Sequence, residues 1–157
     1  MTSKTFSSSS DGSFSFSKAV AQEPLYIGID QSYSGFAITF IKGDEYYTEV
    51  KKFEGVGVNR LVAIDEWLRG RVAAAKALSK TSIENIAMEG YAYNSIMANM
   101  AGELGAVVKL ALLPIYPVIV PPTMVKKYAT GKGTGIKKNQ MLLQVYKKWG
   151  VEFRDDN

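Results

Sequence analysis

One stretch limits what this chain can fold into more than any other: Leu25-Tyr-Ile-Gly-Ile-Asp30-Gln-Ser-Tyr-Ser-Gly35-Phe-Ala-Ile-Thr-Phe-Ile41. Alternating and β-branched apolar residues lead into a single acid. A polar, glycine-containing turn follows, and then a second apolar segment of the same kind. The pattern predicts a β-hairpin whose first strand ends on a carboxylate. An acid held there sits rigidly at the end of a sheet, where a metal ion or a phosphate can reach it. Taken alone, the same acid also reads as an ordinary turn-capping Asp.

The rest of the chain repeats the arrangement. Glu45 to Phe53 alternates as a third antiparallel strand, and Gly55-Val-Gly57 breaks it. From Val58 to about Leu78 the apolar residues Leu61, Ile64, Trp67, Leu68, Val72 and Ala75 recur at helical spacing, with Asn59 as a candidate N-cap. Ile83 to Met88 is a short apolar segment that ends at Glu89-Gly90, so a strand ends on an acid a second time. A helix rich in small residues (Ala98, Ala101, Gly102, Gly105, Ala106) is expected from about Ile96 to Leu113. Tyr116 to Val120 reads as a fifth strand closed by Pro121-Pro122. A lysine- and glycine-rich loop over 123–136 and a last helix over Lys137–Trp149 complete the order. Residues 1–23, rich in serine, read as a disordered tail, leaving one domain over 24–157. The expected fold is α/β, a mixed five-stranded sheet with three antiparallel strands and two more added through crossover helices. Right-handed crossovers would set the Glu89 strand beside the Asp30 strand.

Composition narrows the chemistry. The 157 residues include no cysteine and no histidine, which excludes disulfides, thiolate metal sites, a cysteine nucleophile, the Ser-His-Asp triad and most zinc sites. Any hydrolysis must rest on carboxylates, lysines, hydroxyls or a hard metal. Asp30, Glu89 and the terminal acids Asp155 or Asp156 form an oxygen-only donor set of the kind magnesium takes. Two such ions about 4 Å apart promote phosphodiester hydrolysis without histidine. Taken by themselves, Asp155 and Asp156 also read as a helix N-cap or a solvated tail.

The stretch from Lys126 to Lys138 carries Lys126, Lys127, Lys132, Lys137 and Lys138 with three glycines and no acid. Such a segment suits phosphate contact, although a solvated surface loop has the same composition. It does not meet the G-x-x-x-x-G-K-[ST] pattern of a nucleotide phosphate loop. Lys109, Lys147 and Lys148 would extend the patch. The longest candidate membrane span, Leu104 to Val120, is broken by Lys109, Pro114 and Pro117, so no membrane segment is expected. No signal-peptide pattern opens the chain, and a cytoplasmic location is expected.

The ordered set Ile27-Gly-Ile-Asp30, Met88-Glu89-Gly90, Ala101-Gly-Glu-Leu-Gly105-Ala and Pro-Pro-x-x-Val-Lys126…Gly131-Lys-Gly133…Lys…Gln140 resembles the RuvC-like Holliday junction resolvases, the phage-type members most closely. The resemblance covers roughly Leu25 to Asn157. It implies an RNase H-like fold, a homodimer in a bacterial or phage-infected cell, and symmetric cleavage of branched DNA such as a four-way junction. Magnesium would be the cofactor and manganese a substitute. By position, Asp30 and Glu89 match metal-binding acids of the family and Lys126 a DNA-contacting lysine. Lys137 or Lys138 matches a second lysine that steadies charge in the transition state. Lys127 and Lys132 fall in the same DNA-contacting stretch. Tyr91 or Tyr93 lies near the family's aromatic at the junction centre, where base stacking or plain packing would suit it. The family pattern continues past Asp-Asp-Asn with a helix opening Ala-Asp-Ala. This sequence stops at Asn157, so the resemblance matches Asp155 or Asp156 to the upstream acid and leaves the domain short of its C-terminal helix.

Two other readings share the fold. Gly28-Ile29-Asp30-x-x-x-x-Gly35 also occurs in the phosphate hairpin of actin-like and sugar-kinase proteins, which bind ATP between two such domains; a second Gly-rich hairpin is not visible here. A non-catalytic branched-DNA-binding module would keep the fold and the basic stretch without cleavage.

Overall fold

The structure, a computed structural model, describes residues 14–33, 35–91 and 98–150. Its centre is a five-stranded sheet in the order β3-β2-β1-β4-β5. The strands are β1 (Leu25–Asp30), β2 (Phe36–Lys42), β3 (Glu45–Lys51), β4 (Ile83–Glu89) and β5 (Val118–Val120). The first three pair antiparallel, and β4 and β5 join β1 in parallel. This is the mixed sheet that the hydrophobic pattern predicts.

Two crossover helices, α1 (Gly57–Leu78) and α2 (Ala98–Leu112), link the parallel strands and pack against each other. The period-2 alternation sends Leu25, Ile27 and Ile29 of β1, Phe36, Ile38 and Phe40 of β2, and Ile86 and Met88 of β4 into one core. Leu61, Ile64, Leu68 and Val72 of α1 and Leu104, Val108 and Leu112 of α2 meet them there at helical spacing. The opposite face of the sheet carries Tyr26, Ile41, Val50 and Val118, all exposed. Among the described residues no helix is long and apolar enough to cross a membrane.

Several local expectations are corrected. The segment after Pro121 is not a loop throughout: Pro122–Thr130 forms a helix, α3, followed by a short turn and α4 (Lys138–Trp149). Proline suits a first helical turn because its missing N–H has no partner there. Gly131, with φ at 79°, then stops α3 in the left-handed region. Helix α1 starts at Gly57 with Val56 at its N-cap and no side-chain cap, not at Asn59. On α2, Ala106 is exposed rather than packed.

Residues 14–23, expected in the tail, contribute to the domain instead. Phe14 is buried and stacks on Phe40 and Tyr47 at ring separations of 4.8 and 4.7 Å. Ser17 N donates to the Glu45 carboxylate at 2.9 Å, and Val20 is buried in a short 3-10 turn. Aromatic residues scattered through a serine-rich stretch carry no period, so their burial left no pattern to read.

Candidate active site

Parallel pairing of Ile29 with Met88 sets the register at the carboxyl ends of β1 and β4. The next residues on each strand are Asp30 and Glu89, and the pleat turns both toward the face opposite the core. The two sequence-predicted acids are therefore brought to one end of the sheet on adjacent central strands. They line a recess of about 100 Å³ with Gln31, Gly90, Tyr91, Ala101 and Leu104.

The electrostatics of the recess are those of two carboxylates short of water. Asp30 keeps a solvent-facing edge, but partial burial pushes its pKa up. Glu89 is raised as well, first by burial and then by the negative charge of Asp30, while the Lys126 ammonium pulls it down. That counter-pull places Lys126 within electrostatic reach of Glu89 although the two lie on different elements. A divalent cation would relieve both the burial penalty and the mutual repulsion. The donor set is all oxygen, so the residues present fit magnesium or manganese. Among the described residues no group of three acids is gathered. Asp155, Asp156 and Tyr93 lie outside the described residues.

The lysines divide into two groups. Lys126 and Lys127 are exposed on α3, Lys132 on the turn that follows, and Lys137 and Lys138 at the start of α4. Lys137 N donates to Gln140 Oε1 at 3.1 Å, which fixes the entry to α4. Between Glu103 and Glu152 the sequence holds no acid, so the α3–α4 hairpin carries its lysines with no acid of its own. Lys148 belongs elsewhere. Its Nζ donates to the Tyr128 carbonyl at 3.0 Å and lies 4.0 and 4.6 Å over the Tyr128 and Trp149 rings, clasping α4 to α3.

Tyr91 is half-buried in the wall of the recess, over the glycines of α2: a Cβ at Gly102 would lie 3.7 Å from its hydroxyl. The sequence reading missed Gln31. Its Nε2 donates to the Glu89 carbonyl at 3.1 Å and ties the end of β1 to the end of β4. The only signal was its place directly after the acid.

The chain is similar in structure to RuvC of T. thermophilus in complex with a Holliday junction substrate. The TM-score is 0.66 at 16% identity, over 85% of this chain and 84% of that one. The fold is RuvC-type and RNase H-like. A second Thermus thermophilus RuvC structure gives a TM-score of 0.63 at 18% identity over the same shares. Neither a protein-family model nor a curated protein matches the chain in sequence. The RuvC-type fold accounts for the expected strand order and crossovers.

Proposed function

We propose that this protein is a structure-selective endonuclease that hydrolyses phosphodiester bonds in Holliday junctions or related branched DNA, acting as a homodimer. The observation that carries the reading is the pair Asp30 and Glu89, held at the ends of adjacent parallel strands and sharing one recess within electrostatic reach of Lys126. The likeness to a RuvC bound to a Holliday junction supports branched DNA as the substrate class.

Asp30 and Glu89 would hold divalent magnesium, with Asp155 or Asp156 as the proposed further acid. Magnesium held there would supply charge neutralisation for the attack of water on phosphorus. Lys126 and the α3–α4 lysines, with Lys137 or Lys138 nearest in role to the reacting phosphate, hold the DNA backbone by charge and orient it over the recess. Tyr91, in the wall of the recess, is placed in this reading to stack on a base. In the overall step, the water oxygen joins phosphorus and the departing sugar oxygen leaves with a proton.

The test is cleavage of a synthetic four-way junction in magnesium, with Asp30→Asn as control. Paired symmetric nicks that vanish in Asp30→Asn support the reading. The other reading that the RuvC-type fold and the lysines of α3 and α4 suit is a branched-DNA binder without catalysis. Tight junction binding with no nicks would establish that one instead. ATP binding with no affinity for DNA would overturn both.

A further inference from the structure

The β1–β4 ladder has its last backbone register pair at Ile29 and Met88, one residue short of the two acids. A strand end beyond its last rung is free to fray. Here a side chain takes over. Gln31 Nε2 donates to Glu89 O at 3.1 Å, and on the other side Gly90 N donates to Val120 O of β5 at 2.9 Å. Glu89 is thereby anchored from both neighbouring strands, once by an amide side chain and once by backbone.

The orientation of that amide follows from chemistry, because a backbone carbonyl can only accept and so must face the NH₂ group. Gln31 Oε1 is then left buried with no hydrogen-bond partner among the described residues. An unsatisfied buried carbonyl costs about 1–3 kcal/mol, and an apolar side chain of similar length would avoid the cost. What Gln31 supplies that an apolar side chain could not is the donor to Glu89 O. Helix α2 makes room for it: a Cβ at Gly105 would stand 3.4 Å from Gln31 Oε1 and 3.7 Å from Nε2, so the amide lies flat under the helix.

We propose that Gln31 is a positioning residue that completes the β1–β4 ladder and so fixes the Glu89 carboxylate relative to Asp30 for binding a divalent cation. The inference rests on the reading of the two acids as a metal site. In this proposal Gln31 acts through Glu89 and not as a ligand of the cation.

Two measurements on Gln31→Met, which keeps the length and removes the donor, test it. Hydrogen exchange read by NMR on the metal-free protein should show the Gly90 amide exchanging about 10-fold faster or more, with global melting unchanged. Mn²⁺ titration followed by electron paramagnetic resonance should show affinity weakened by about 10-fold, the low end of what outer-shell partners contribute. Gln31→Leu serves as the second variant if Gln31→Met does not fold. Unchanged Gly90 exchange, or wild-type Mn²⁺ affinity in the variants, overturns the proposal and leaves the nuclease reading standing. A wild-type protein that binds no Mn²⁺ overturns the metal-site reading and this proposal with it.

Discussion

Glu89 and Asp30 face the same side of the sheet from the last positions of adjacent parallel strands, and each is a carboxylate that holds its proton more tightly than usual. In both the first cause is burial, and in Glu89 the Asp30 charge adds to it. A folded-state pKa above the unfolded one means that ionisation works against folding. The cost is absent below about pH 4, where the unfolded carboxylates are protonated, and complete once the pH has risen above the folded values. In chelator, Asp30→Asn and Glu89→Gln are therefore expected to melt higher than the wild type at neutral pH, and the gap should close as the solution is acidified. Thermal melting across that range checks it; equal pH dependence in wild type and variants would contradict it. In magnesium the same variants should lose junction cleavage by more than about 100-fold, beyond the effect of outer-shell changes.

Lys126 and Lys148 sit on the same basic hairpin and are predicted to behave differently. Lys126 is exposed and within electrostatic reach of Glu89, whereas Lys148 is engaged by the Tyr128 carbonyl and two rings. Lys126→Ala should weaken DNA binding and lower the slope of log affinity against log salt by about 0.9, the share of one phosphate contact. Lys148→Ala should leave the slope in place and loosen α4 against α3. Filter binding across a salt series, paired with melting curves, separates the two. Equal salt slopes in both variants would mean that the hairpin acts only as a diffuse charge.

How much of this was legible in the sequence depends on whether a residue's role shows as a period. Strand order, the two crossover helices and the convergence of Asp30 with Glu89 follow from alternation, helical spacing and the handedness of crossovers. Lys42 and Glu45 did not show, because charged residues at strand ends read as solvent-facing. In the structure they are 1% and 2% exposed. Lys42 Nζ donates to Ser79 Oγ and Thr81 Oγ1 at 3.0 and 3.1 Å, and Glu45 accepts from Ser17 N, so the burial is satisfied by partners remote in sequence. Gln31 and helix α3 were missed for a similar reason. Each depends on what the fold places beside it, and Pro122 in particular reads both as a strand breaker and as a helix opener.

Phe14 tests whether the N-terminal segment is part of the core. It stacks on both Phe40 and Tyr47, and the Arg71 guanidinium lies 5.4 Å from its ring centroid. Phe14→Ala is expected to destabilise the protein by about 3 kcal/mol, the lower end for a buried Phe. Denaturant unfolding gives the value. A change below about 0.5 kcal/mol, typical of a surface substitution, would show that the segment is dispensable for folding.

Gly105 gives a prediction in which size alone decides the outcome. It is buried in the middle of α2, where glycine costs up to about 1 kcal/mol relative to alanine. A Cβ there would meet Gln31 Oε1 at 3.4 Å and Tyr91 Cε1 at 3.5 Å, ordinary contact distances that leave room for one methyl group and no more. Gly105→Ala is thus expected to be neutral or to stabilise by as much as about 1 kcal/mol, with the Gln31–Glu89 hydrogen bond intact. Gly105→Leu would have to displace either the Gln31 amide or the Tyr91 ring. It should destabilise by about 1–3 kcal/mol, the range for overpacked cores, and release Glu89 as Gln31→Met does. Comparing melting and Gly90 amide exchange in the two variants decides it. Equal exchange in Gly105→Ala and Gly105→Leu would mean that α2 does not hold the amide in place, and that the small residues of this helix serve packing alone.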